Sequence, residues 1–241
     1  MTPLNLVSDQ ALSVTSAHAQ EKSGIKPGFS LKAGSAKILL VRPTIKVGAQ
    51  STGGSFEPNA DWTAQAKDNL GVALAAAQTK LGNEVIVAEE PVGQSAQVMA
   101  DYRALFAVLA QSVITYQFFP GNRLPTKKRK GAFEWTLGPG VAEIAGGSGA
   151  DYALFLTNDD EYGSTGRKML QVFAAMGGVS VISGNHKGFA GLVDLRTGDL
   201  VWLNADLQMG GDVRTPEGAQ KRVSQLLEDF PGSTAPQPAA K

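Results

Sequence analysis

Two hydrophobic periods alternate along this chain. Short continuous apolar runs mark strands, and longer stretches with an apolar residue every three or four positions mark helices. Lys37-Ile38-Leu39-Leu40-Val41 is a run of the first kind. It predicts a strand buried on both faces, ended by Pro43 and followed by a long polar loop. Trp62, Ala66, Leu70, Ala73, Ala77 and Leu81 share one helical stripe, predicting a helix over 60–81. Asn59 or Asp61 is its cap, and Gly82-Asn83 is its stop. Residues 84–88 read as a second strand, which completes a βαβ unit. A second helix is expected over 95–117, burying Val98, Tyr102, Leu105, Leu109, Val113 and Tyr116. A strand over 151–157 follows Gly149. Strands over 187–195 and 200–207 flank a tight turn at Arg196-Thr197-Gly198, where glycine supplies a positive φ. Ala219, Val223, Leu226, Leu227 and Phe230 form the apolar face of a last helix over 216–229.

The fold class that follows is α/β: a three-layer domain with a mixed sheet, a βαβ start and a C-terminal antiparallel hairpin plus helix. One domain is expected over 36–231. Residues 1–35 read as a flexible leader and 232–241, rich in Pro and Ala, as a disordered tail. Ala17-His18-Ala19 has the small-x-small look of a signal-peptidase site, but no basic start precedes it. A signal remnant is therefore the second reading of the leader.

The segment 168–183 fits neither period throughout. Met169, Leu170, Val172, Phe173, Met176, Val179, Val181 and Ile182 crowd into it, and Gly177-Gly178 interrupts it. Large contiguous apolar patches on soluble proteins mark contact sites. Met169, Leu170, Phe173, Met176, Val179 and Ile182 are therefore expected to form a surface for another subunit, a partner protein or a membrane interface.

Composition narrows the chemistry. The hydrophobic share of 43% supports a sizeable core, and 22 basic against 22 acidic residues argue against a dedicated nucleic-acid binder. Cysteine is absent, which removes disulfides, thiolate nucleophiles, cysteine metal sites and the lipidation residue of a lipoprotein. No run of 18 apolar residues suggests a membrane span.

Candidate reactive groups are few. His186 sits in a predicted turn with no Gly-x-Ser-x-Gly elbow to serve. Asp159-Asp160-Glu161 follows a predicted strand end, where oxygen ligands for Mg²⁺ or Ca²⁺ are conceivable, but neighbours on an extended chain point opposite ways. A solvated acidic loop is the preferred reading. Residues 163–168 miss the phosphate-loop spacing and 138–143 miss the dinucleotide fingerprint. Lys127, Lys128, Arg129 and Lys130 form a weak basic patch, read first as a solvated turn and second as a site for phosphates or anionic headgroups. No catalytic residue, metal ligand or cofactor is expected.

Lys37 to Val41, Ala60-Asp61-Trp62, Gly149-Ala150-Asp151-Tyr152 and Leu192 to Trp202 together resemble a group of bacterial cell-envelope proteins. The layout is similar to the curli-secretion-channel family and to the amino-terminal domain of TolB, over roughly residues 37–230. That resemblance implies a periplasmic or outer-membrane-peripheral α/β domain with no catalytic residues to carry over. It implies a non-enzymatic role in envelope assembly or secretion, through a protein partner, a homo-oligomer or a membrane surface, with no nucleic acid. The alternative is a small-molecule-binding or enzymatic doubly wound domain.

Overall fold

A computed structural model describes residues 21–122 and 131–233. In chain order its strands are β1 (Glu21–Ile25), β2 (Lys37–Leu40), β3 (Thr44–Gln50), β4 (Phe56–Pro58), β5 (Glu84–Val87), β6 (Trp135–Thr136), β7 (Tyr152–Gly163), β8 (Asn185–Asp194) and β9 (Asp199–Asp206). Its α-helices are α1 (Ala60–Lys80), α2 (Gln94–Val113), α3 (Thr165–Met176) and α4 (Pro216–Leu226). All nine strands belong to one mixed sheet whose main order is β1-β9-β8-β7-β2-β5. The chain is an α/β protein.

Alternation along the strands divides the core in two. Ile38, Leu40, Leu154, Leu156, Leu192 and Trp202 face α1 and α4. Leu39, Val41, Phe155, Val193 and Leu203 face α2 and the 3-10 helix Pro139–Ala145. Phe106 of α2 stacks on Phe155 with ring centroids 4.7 Å apart. It sits directly on Gly191, where an added Cβ would stand 2.6 Å from its ring.

The hairpin stands where the turn chemistry puts it. Gly198 has φ 79°, and a Cβ there would meet the Gly138 carbonyl oxygen at 2.0 Å. The Asp194 carboxylate accepts from the amides of Arg196 (2.8 Å) and Thr197 (3.1 Å), closing the turn. Asn59 caps α1 by accepting from the Trp62 amide at 2.9 Å.

Several expectations need correction. Residues 21–35 are not a flexible leader: β1 pairs antiparallel with β9, from Glu21 opposite Asp206 to Ile25 opposite Trp202. Backbone pairing at a sheet edge needs no apolar pattern, so Glu-Lys-Ser-Gly-Ile shows none. The polar loop after Pro43 holds β3 and β4, with Ile45 and Val47 buried. β3 runs parallel to the far half of β7, so one twelve-residue strand serves β2 and β3 in turn. Helix α2 is turned slightly from its expected setting: Val113 is buried and Val98, Tyr102 and Leu109 pack partly buried as expected, but Met99, Phe106 and Ala110 are buried too while Leu105 and Tyr116 are exposed. Its sequence is apolar nearly all round, so periodicity alone does not fix the face. It continues as a π-helix over Ile114–Phe118. The combined helix Gln94–Phe118 is long and apolar enough to cross a membrane by length and composition, which a count of unbroken apolar residues misses. Its buried side chains nevertheless pack on the sheet. His18, the basic patch Lys127–Lys130 and the tail 234–241 lie outside the described residues.

Candidate functional site

β7 and β8 run side by side from Tyr152 opposite Asp194 to Glu161 opposite Asn185, and α3 joins their far ends. The helix starts on Ser164, whose hydroxyl accepts from the Arg167 amide at 3.2 Å, and stops at Gly177. None of its twelve residues is buried. At 100° per residue, Met169, Val172, Phe173 and Met176 line one face while Arg167 and Gln171 lie opposite. The apolar face is the one turned to solvent: Met169 is 55% exposed, Val172 60%, Phe173 63% and Met176 82%. The opposite face is tied to the protein. Arg167 donates through Nε and one terminal nitrogen to the Ile182 carbonyl (3.1 and 2.9 Å) and through the other to the Thr52 carbonyl (3.2 Å). The helix is thus anchored through Arg167, while its apolar stripe and Gln171 both stand in solvent. Leu170, Val179 and Ile182 are also exposed, so the structure brings all six expected contact residues onto one arm.

At the base of the arm lies a charge cluster that the sequence reading missed. The acidic run is not a solvated loop but part of β7, and Asp160 is fully buried. Alternation puts Asn158 and Asp160 on the same face as Leu154 and Leu156. Fully buried Arg222 of α4 meets this face. Its guanidinium donates to both Asp160 oxygens (3.0 and 3.2 Å), to Asn158 Oδ1 (2.8 Å) and to the Gly210 and Gly211 carbonyls (3.0 and 2.7 Å). Asn158 Nδ2 also donates to Asp160. His186, expected in a turn, is inside β8, with Nδ1 2.5 Å from Asp160 Oδ1. A carboxylate at that distance assigns the proton to Nδ1. Imidazole and carboxylate have the geometry of an oriented base, but Arg222 already holds the charge that would drive it. Asp159 makes an ion pair with Lys187 at 4.0 Å. No group of three or more His, Cys, Asp or Glu side chains able to hold a metal occurs among the described residues.

A second polar cluster continues from the first. Tyr162 packs against His186 with centroids 4.9 Å apart and donates its hydroxyl to Asp212 at 2.9 Å. Arg214 lies between Trp62 and Tyr162, 4.5 and 3.9 Å from their ring centroids. It also grips Asp212 through two hydrogen bonds of 2.8 and 2.6 Å. Burial, and then the charges of Asp160 and Asp212, push the Tyr162 hydroxyl far above its ordinary pKa, so it stays neutral and donating. Those Arg214 bonds hold the Asp212 carboxyl well below the usual range. A depressed folded-state pKa contributes stability that is complete above the unfolded value of about 3.9 and is lost as pH falls through the folded one. Asp212→Asn is therefore expected to flatten the loss of thermal stability below about pH 4, measured by melting at stepped pH. An unchanged acid limb would contradict this.

A cleft of about 640 Å³ opens beside His186, lined by Gln50, Glu161, Arg167, Asn185, Gln208 and Met209 among others.

No protein-family model matches the chain. Neither does any curated protein sequence. Among solved structures it is similar to the PelC dodecamer from Paraburkholderia phytofirmans, at 13% identity, TM-score 0.42, covering 89% of this chain and 98% of that one. It is also similar to the LpoB C-terminal domain from Salmonella enterica, at 15% identity, TM-score 0.28, covering 74% and 86%. Likenesses this distant bear on neither activity nor partners.

Proposed function

We propose that this protein is a non-enzymatic component of the bacterial cell envelope that works by contact, with the α3 arm as its contact surface. One observation carries the reading: a helix anchored through Arg167 whose apolar stripe points to solvent. Fully burying one large apolar side chain is worth roughly 1.5–3 kcal/mol. Four on one stripe favour docking strongly. The envelope setting follows from the resemblance of the strand and hairpin motifs to the curli-secretion-channel and TolB group. The Asp160–Arg222 cluster supports a structural rather than a chemical role for His186. It is a clamp that fixes the arm's base.

The test is complementation of a deletion strain. Phe173→Asp with Met176→Asp is expected to abolish function while the melting temperature of the purified protein moves by less than about 4 °C. His186→Ala is expected to retain function. If the double variant unfolds, the segment is core rather than contact. Loss of function in His186→Ala with unchanged stability would instead point to chemistry at the cleft.

A further inference from the structure

We infer that the α3 arm seats on the interface of a bilayer with anionic headgroups. The inference rests on the contact reading above and names the occupant.

Charge selects the lipid surface over a protein partner of mixed charge. Between β7 and β8, over 164–184, the chain has no acidic residue, whereas Arg167 and Lys168 are basic. Acidic side chains at a bilayer surface are repelled by anionic headgroups, and this excursion omits them. Lys168 is exposed and flanks the apolar stripe one turn before Val172. Its alkyl stem can lie along that stripe while the ammonium reaches the headgroups. The helix has the architecture of an interfacial element, with an apolar face over Met169, Val172, Phe173 and Met176 and a polar face opposite. It is too short to cross a bilayer, since twelve residues reach about 18 Å against about 30 Å of hydrocarbon. Beyond the helix, Val179 and Ile182 extend the exposed apolar surface along the returning chain, 58% and 74% exposed. The helix cannot turn its apolar face inward without breaking the three bonds from Arg167 to Thr52 and Ile182. The face is therefore held outward, ready to dock.

Self-association is the competing occupant. Two copies meeting through this face in parallel would set their Lys168 side chains together, with no acidic residue on the arm to offset them, and only an antiparallel seating would separate them.

The absence of cysteine makes the test clean. Met176→Cys carries a single environment-sensitive fluorophore at the most exposed apolar position of the helix. With vesicles of phosphatidylcholine plus phosphatidylglycerol, its emission is expected to shift to the blue and rise, and the full chain to float with the vesicles. With phosphatidylcholine alone, binding is expected to drop by about tenfold or more. Lys168→Glu is expected to weaken binding to the anionic vesicles at least about fivefold, and added salt to weaken it further. Phe173→Asp with Met176→Asp is expected to abolish flotation. No flotation and no emission change, together with a concentration-dependent oligomer that the double variant loses, overturns the lipid assignment and leaves the contact reading standing. No flotation, a monomer at all concentrations and a fully functional double variant overturn both. Equal binding to neutral and anionic vesicles overturns the charge argument on which the lipid assignment stands.

Discussion

Arg222→Met is expected to lower the unfolding free energy by about 3–5 kcal/mol, as read by urea denaturation near neutral pH. All five guanidinium N–H donors of Arg222 are used, on Asp160 twice, Asn158, Gly210 and Gly211. Removing the guanidinium leaves the fully buried Asp160 carboxylate with Asn158 and His186 but without its Arg222 cation, and takes the donor from two loop carbonyls at once. The cost is that of an uncompensated buried charge, and methionine fills the volume without supplying a donor. Adding Asp160→Asn removes the stranded charge, so the double variant is expected to be more stable than Arg222→Met alone. The two single effects will then be strongly non-additive. A loss under about 1 kcal/mol for Arg222→Met, or simple additivity in the double variant, would show that the cluster is not the clamp described here.

Trp202→Ala is expected to cost a comparable amount, about 3–5 kcal/mol. Trp202 is 1% exposed, sits in β9 between Leu192 of β8 and Ile25 of β1, and meets Phe230 edge-on at 5.1 Å. Truncation leaves a cavity under both the hairpin and the segment after α4, and the hairpin cannot collapse into it without breaking strand pairs. Trp202→Phe serves as the control. It keeps most of the apolar body and removes a buried indole N–H that has no hydrogen-bond partner, so a loss under about 1.5 kcal/mol is expected. Equal losses for the two variants would count against the cavity argument.

Much of the sheet was legible because its signals are local. Gly198 needs its positive φ, Asn59 needs only its own helix start, and the 37–41 run can hardly be anything but a buried strand. The unread parts depend on partners far away in sequence. β1 is ordered by backbone pairing that leaves no side-chain pattern, and α2 has too many apolar faces for one to be chosen. The buried clamp did leave a trace. Ala219, Arg222, Val223 and Leu226 fall on one stripe at positions i, i+3, i+4 and i+7, which puts a guanidinium among apolar neighbours. Period-two alternation carries Leu154 and Leu156 on to Asn158 and Asp160. Two charges of opposite sign on two buried faces predict each other, and reading either element alone hides that. The arm's apolar crowding is legible in the sequence, but its anchoring depends on Arg167 reaching Thr52, which sequence spacing does not reveal.

The pairing of β1 with β9 also fixes an order of events during synthesis. Residues 21–25 emerge early, yet the strand they hydrogen-bond to spans 199–206. Until residues 199–206 have left the ribosome, β9 is not there to receive them. A contact of this sequence span carries a large loop-closure entropy and forms late. Native closure of that sheet edge therefore waits on β9, and every element between the two strands has the chance to fold first.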